Sequence, residues 1–314
     1  MSGGGQSRAR YPDADGFVER DGVRVFWERY GDGDPTILFL PAWSVCYSRL
    51  WKGQIPYFAR HHRVLVFDPR GNGRSDKPAE PEAYADVEIA GDAFAVMDAA
   101  DTERAIVVGA SMGGWYGALM AALRPERILG AFLMCPASAL GEQSPERQEQ
   151  AFMDEVETEE GWRGKFNRHY WLRDFDGFAD FFARKVINDP HSTKQVEDMA
   201  GWIRETTPES LIASACAPFS SLEEQLDVYE RISCPVVIAH GDADEVIPHD
   251  KGVAVAGAIG APFINLAGVG HAPAARKPVR MNLLIREFVE SLRDAEQRGE
   301  TVTRIASEES VAVQ

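Results

Sequence analysis

Six short, mostly apolar runs constrain this chain more than any other feature. They are Thr36-Ile-Leu-Phe-Leu40, Val64-Leu-Val-Phe67, Ala105-Ile-Val-Val108, Ala131-Phe-Leu-Met134, Pro235-Val-Val-Ile-Ala239 and Pro262-Phe-Ile-Asn-Leu266. A strand with one wet face alternates polar and apolar residues, whereas continuous apolar runs need cover on both faces. Amphipathic or Ala-rich segments at 48–60, 87–100, 112–124, 250–259 and 278–295 separate most of the runs and can supply that cover. Strand and helix in alternation predict an α/β fold with a mainly parallel sheet. Ahead of the first run, residues 17–20 and 23–27 flank Asp21-Gly22. That dipeptide tolerates positive φ and predicts a hairpin.

The alternation lapses between about residues 139 and 229. This stretch is helical in pattern and holds Trp162, Phe166, Tyr170, Trp171, Phe175, Phe178, Phe181, Phe182, Trp202 and Phe219, with no convincing strand. Compact domains rarely carry so long a plain loop, so a helical cap inserted into the core is expected. The expected organisation is a flexible N-terminus at 1–16, core at 17–138, cap at 139–229, core again at 230–295, and a flexible tail at 296–314.

Net charge is −16 and the sequence pI about 4.9. So anionic a chain repels phosphate backbones and anionic lipid head groups, which argues against nucleic-acid and membrane-surface roles. Cys46, Cys135, Cys216 and Cys234 show no CxxC spacing, as expected of reduced thiols in a cytoplasmic protein. The opening MSGGGQSRAR lacks an apolar h-region, and no run of about 18 apolar residues marks a membrane span. Whether the chain is a monomer or a homodimer stays open.

Gly109-Ala-Ser111-Met-Gly113 follows directly on the run 105–108 and opens a helical segment. In that strand–turn–helix setting, G-x-S-x-G places a serine on a sharp, strained turn. Flanking residues must be tiny for strand and helix to approach, and Gly109, Ala110, Gly113 and Gly114 are. Ser111 then stands at the carboxyl end of the sheet, where α/β folds bind ligands. A serine nucleophile needs an imidazole base, and the imidazole needs an orienting acid. Polar residues at the ends of the last two strands can provide both: His240-Gly-Asp242-Ala-Asp244-Glu245-Val-Ile-Pro248, then Gly268-Val-Gly-His271.

With G-A-S-M-G, H-G-D-A-D-E-V-I-P, G-V-G-H and Asp68-Pro-Arg-Gly-Asn-Gly-Arg-Ser75 in order, residues 17–295 resemble the α/β-hydrolase superfamily. The resemblance implies an eight-stranded, mainly parallel sheet, no cofactor, and serine hydrolysis of a small-molecule substrate, an ester or lactone. In relatives the acid of G-x-x-D-x-x-x-P is the later aspartate, which maps to Asp244; Asp242 is the runner-up and Glu245 stands behind it. Of seven histidines, only His271 lies beyond a further strand, which makes it the expected base. An imidazole base in turn predicts activity falling below about pH 6.

The resemblance also implies an oxyanion hole of two backbone N–H groups. Met112, after the nucleophile, supplies one. The loop after Leu40 supplies the other, but Pro41-Ala42-Trp43-Ser44 stands where relatives often carry His-Gly. Trp43 matches the donor position, with Ala42 and Ser44 as alternatives. Trp43, Trp115, Tyr116, His169, Tyr170 and Trp171 are the candidate substrate contacts, and Asp68–Ser75 reads as scaffold. No G-x-G-x-x-G follows the first parallel strand, and no H-E-x-x-H or clustered His/Cys set suggests a metal. Thioester, amide or carbon–carbon cleavage, cofactor-free perhydrolysis or halogenation, and a non-catalytic ligand-binding role on the same fold remain the alternatives.

Overall fold

The computed structural model describes residues 8–141, 145–147 and 149–298. Strands β1 (Ala14–Arg20) and β2 (Val23–Tyr30) form the expected hairpin, with both turn residues at positive φ, Asp21 at 52° and Gly22 at 78°. Six further strands correspond to the six apolar runs: β3 (Thr36–Phe39), β4 (Val64–Phe67), β5 (Ala105–Ala110), β6 (Ile128–Met134), β7 (Val236–Gly241) and β8 (Phe263–Leu266). All eight form one sheet in the order β1-β2-β4-β3-β5-β6-β7-β8, parallel from β4 to β8 and antiparallel at β1–β2 and β2–β4. This is the α/β-hydrolase architecture, and it sets β5 in the middle of the sheet.

Alternation along each strand sends neighbours to opposite faces, and both faces are apolar. Leu38, Leu65, Val107, Leu133 and Ile238 pack with α2 (Asp86–Ala99), α3 (Met112–Leu123), α10 (Leu222–Arg231) and α11 (His249–Ile259). Ile37, Phe39, Val66, Val108 and Phe132 face the other way, towards Trp51, Phe58 and α13 (Pro278–Gln297). Expected helix 48–60 is broken instead into a 3-10 turn at Ser48–Trp51 and α1 (Ile55–Phe58). Gly53 and Pro56 between them disfavour a continuous helix, glycine by entropy and proline by its missing N–H.

Between β6 and β7 the chain forms α4 (Glu149–Met153), α5 (Gly161–Lys165), α6 (Arg168–Arg173), α7 (Phe175–Val186), α8 (Thr193–Ile203) and α9 (Pro208–Ala215). Phe152, Phe166, Trp171, Phe178 and Phe182 from this insertion join the same cluster as Val108 and Phe39, so these helices sit on that face of the sheet. The last helix before β7, α10, straddles the expected cap limit at 229 and packs against α3 and α11 on the other face. Arg10 bonds the Ala59 carbonyl at 2.7 Å, Arg8 pairs with buried Glu28, and α13 runs on to Gln297. Residues 1–7 and 299–314 of the expected flexible ends lie outside the described residues. Among the described residues no helix is long and apolar enough to cross a membrane.

Candidate active site

Ser111 stands between the end of β5 and the start of α3 with φ 57° and ψ −123°, a conformation that favours glycine. Its surroundings over-determine the strain. The Ser111 N–H donates to the Met134 carbonyl at 2.9 Å, and the Ala137 and Gly114 N–H groups donate to its carbonyl, each at 2.9 Å. Close approach explains the tiny neighbours. A Cβ on Gly109 would collide with the Gly113 carbonyl, and one on Gly114 would lie 2.9 Å from the Pro136 Cα.

The candidate acid and base come from the loops after β7 and β8. His271, buried, bonds through Nδ1 to the Asp244 Oδ2 at 2.7 Å. The other oxygen of Asp244 accepts the N–H groups of Val246 at 2.7 Å and Ile247 at 2.8 Å. Burial pushes the Asp244 carboxyl up. The charge of His271 and the hydrogen bonds from His240, His271 and Ile247 outweigh it, and hold the group well below the ordinary carboxylate range. Asp242 instead accepts the Gly268 N–H at 2.7 Å and shapes the turn, while Glu245 pairs with Lys185 of α7. Among the described residues the Ser111 hydroxyl has no hydrogen-bonded partner, so the structure brings Asp244 and His271 into contact and leaves Ser111 at the sheet centre with its oxygen uncommitted.

The two oxyanion candidates also come close. Gly113 packs so tightly on the Pro41 carbonyl that a Cβ would lie 2.6 Å from it, which holds the loop 41–44 against the start of α3. Among the described residues the N–H of Met112 has no hydrogen-bond partner, while the backbones of Ala42 and Trp43 bond the buried Cys46 thiol. The Trp43 indole N–H donates to Ser214 Oγ of α9 at 2.8 Å, and its ring lies 6.1–6.4 Å from those of Phe166, Trp171 and Phe182.

Other candidates take different places. Trp115 is fully buried on the face opposite the insertion, with its indole N–H on Asp86 at 2.7 Å and its ring against Phe219 and Tyr229. Tyr116 is buried in the same cluster. Both pack in the core, because α3 turns these side chains down onto the sheet. Tyr170 is buried and its hydroxyl bonds Asp174 at 2.8 Å; the Trp171 indole donates to the Lys165 carbonyl at 2.9 Å; a ring nitrogen of His169 bonds the Met153 carbonyl at 3.1 Å. These bonds stay within the inserted helices and hold them together. Asp68–Ser75 is scaffold: Asp68 accepts the Ser48 and Arg74 N–H groups, and Arg70 forks onto buried Asp92 at 2.6 and 2.8 Å.

Sequence reasoning passed over His240. It closes β7, is fully buried, and places Nε2 3.2 Å from Asp244 Oδ2 and 3.1 Å from the Ile247 carbonyl. A histidine ending an apolar strand four residues before the acid was the available signal. Cys135, at the end of β6, joins them, with sulfur, nitrogen and oxygen all within 4.8 Å of one another. These atoms do not make a ligand set for a cation. His240 Nε2 faces two acceptors and must carry a proton, burial together with Asp244 keeps the Cys135 thiol protonated, and Asp244 is occupied by N–H donors.

A central parallel sheet, a strained serine elbow and an Asp–His pair on the last two strand ends define a hydrolase-type α/β enzyme. The chain belongs to the alpha/beta hydrolase fold family, whose model matches residues 35–278. It is 25% identical over 283 residues to a non-heme chloroperoxidase of Streptomyces lividans, covering 86% of this chain and 98% of that one. A bifunctional esterase/perhydrolase of Acinetobacter calcoaceticus is 27% identical over 251 residues, covering 75% of this chain and 84% of its own length. Among solved structures, the N-acyl homoserine lactone degrading enzyme Est816 superposes with a TM-score of 0.71 at 27% identity, covering 87% of this chain and all of that one.

Proposed function

We propose that this protein is a serine hydrolase that cleaves a carboxylic ester or lactone, large and hydrophobic, through an acyl-enzyme. The observation that carries the reading is the 2.7 Å bond between His271 Nδ1 and Asp244 Oδ2, at the same carboxyl end of the parallel strands as the strained Ser111. Ser111 Oγ attacks the carbonyl carbon while His271 Nε2 takes its proton, and Asp244 fixes the tautomer and stabilises the imidazolium. The oxyanion accepts the N–H groups of Met112, at the positive end of α3, and Trp43. His271 then returns the proton to the leaving oxygen, and water releases the acyl group by the reverse path. The inserted helices act as an aromatic lid whose Phe166, Trp171 and Phe182 meet Trp43, which favours an apolar acyl or ring group.

Hydrogen peroxide in place of water at the second step would give a peracid, and likeness to a chloroperoxidase and a perhydrolase supports this as a side activity. The test is labelling by a fluorophosphonate probe beside hydrolysis of short p-nitrophenyl esters. Ser111→Ala is expected to abolish labelling and lower turnover by roughly 10³–10⁶-fold. A loss of only a few-fold would sink the assignment. Tight ligand-dependent stabilisation without turnover would point to a binding protein instead.

A further inference from the structure

We propose that His240 is a positioning residue for the catalytic acid, the fourth member of the Ser111–His271–Asp244 set. The proposal rests on the serine-hydrolase reading only for its effect on turnover; its effect on the acid rests on geometry. Asp244 Oδ2 lies within hydrogen-bond reach of two imidazoles, His271 Nδ1 at 2.7 Å and His240 Nε2 at 3.2 Å. With Val246 and Ile247 on Oδ1, the carboxylate faces four N–H donors, two on each oxygen. Without His240, the only N–H donor on Oδ2 among the described residues is His271, the group that Asp244 is supposed to orient, with the Cys135 thiol beside the same carboxylate. His240 supplies the anchor that is independent of His271.

The tautomer of His240 follows from its neighbours. Nε2 faces only acceptors, the Asp244 carboxylate and the Ile247 carbonyl 3.1 Å away, so it is the donor. Nδ1 is buried with no hydrogen-bond partner, against the backbone of Gly252 on α11, where a Cβ would collide with it. A wholly buried polar atom without a partner is costly. Its presence beside the proposed catalytic acid fits a ring kept for its Nε2 proton rather than for stability. The ring has no freedom to leave: the backbone of β7 fixes one side, Gly252 the other, and the His249 ring lies 5.6 Å away.

The test compares His240→Gln, whose side-chain amide keeps a donor near the Nε2 position, with His240→Met, similar in size and without one. Two readouts are taken on each folded protein: ester hydrolysis, and the low-field proton NMR signal of the His271–Asp244 hydrogen bond. His240→Met is expected to lower kcat roughly 10- to 100-fold with KM changed less than about threefold, the scale of one lost bond to a charged group. The low-field signal should move. His240→Gln should stay within about threefold of the natural protein and retain the signal. Equal losses in both variants, or an unmoved signal and unchanged kcat in His240→Met, would overturn the proposal. If His240→Met does not fold, His240→Asn, polar but too short to reach Oδ2, replaces it under the same expectations. A natural protein inert to the fluorophosphonate probe would defeat the hydrolase reading, and the NMR comparison would still decide His240.

Discussion

His271 Nδ1 and Asp244 Oδ2 meet at 2.7 Å, although 27 residues and a whole strand–helix unit separate them in the chain. Because this contact and its neighbours hold the Asp244 carboxyl below its ordinary range, its charge stabilises the fold. That contribution is complete above the unfolded carboxylate value near 3.9 and is lost as pH falls through the lower folded value. Asp244→Asn should therefore melt below the natural protein at neutral pH, with the gap persisting to about pH 5 and closing below about pH 4. Thermal melts of both across pH 3–8 check this; a gap that closes between pH 7 and 5 contradicts it. Turnover of the variant should fall by about 10⁴-fold.

Ser111 occupies a strained backbone at φ 57°, and the proposed nucleophilic role gives that strain a use. Strain of this kind costs on the order of 1–3 kcal/mol, and glycine relieves it while losing up to about 1 kcal/mol to unfolded-chain entropy. Ser111→Gly is expected to melt roughly 2–4 °C higher and to be inactive. A lower melting temperature would mean that the serine side chain itself supports the fold.

Gly113 lets the loop at Pro41–Ser44 come against the first turn of α3. A Cβ there would lie 2.6 Å from the Pro41 carbonyl, a backbone atom with little room to yield. Gly113→Ala should displace the Trp43 N–H and lower kcat about 10²-fold, the scale of one missing oxyanion donor. Fluorophosphonate labelling should slow in parallel, with circular dichroism unchanged. Unaltered labelling would place the second donor elsewhere.

Trp115 distinguishes core from site. Its indole satisfies buried Asp86, which the Ser220 N–H and hydroxyl also bind. Trp115→Phe should lower stability by about 1–3 kcal/mol, seen in urea melts, with KM for every ester tested unchanged. A change in KM that depends on acyl size would restore it as a substrate contact.

Much of this protein can be read from local chemistry. Short apolar runs announce strands covered on both faces, Asp21-Gly22 announces its turn, and the glycines around Ser111 announce a backbone with no room for side chains. Those signals depend on sterics and burial within a few residues, which the sequence carries directly. Gly53 and Pro56 likewise announce a break in the segment 48–60.

Tertiary structure alone decided the rest, because it depends on which groups meet across long separations. Resemblance marks Asp244 over Asp242, but the physical reason is the loop path after β7, which turns Asp242 to Gly268 and Asp244 to His271. Trp115 and Trp43 are both indoles near Ser111, yet helix rotation buries one in the core while the other reaches Ser214 and the inserted helices. His240 looks like the end of an apolar strand until its Nε2 is found on the Asp244 carboxylate. Sequence by itself determined the sheet, the elbow and the set of candidate acids and bases; packing determined which of them touch, since hydrogen bonds act over about 3 Å and the chain brings its partners from every strand end.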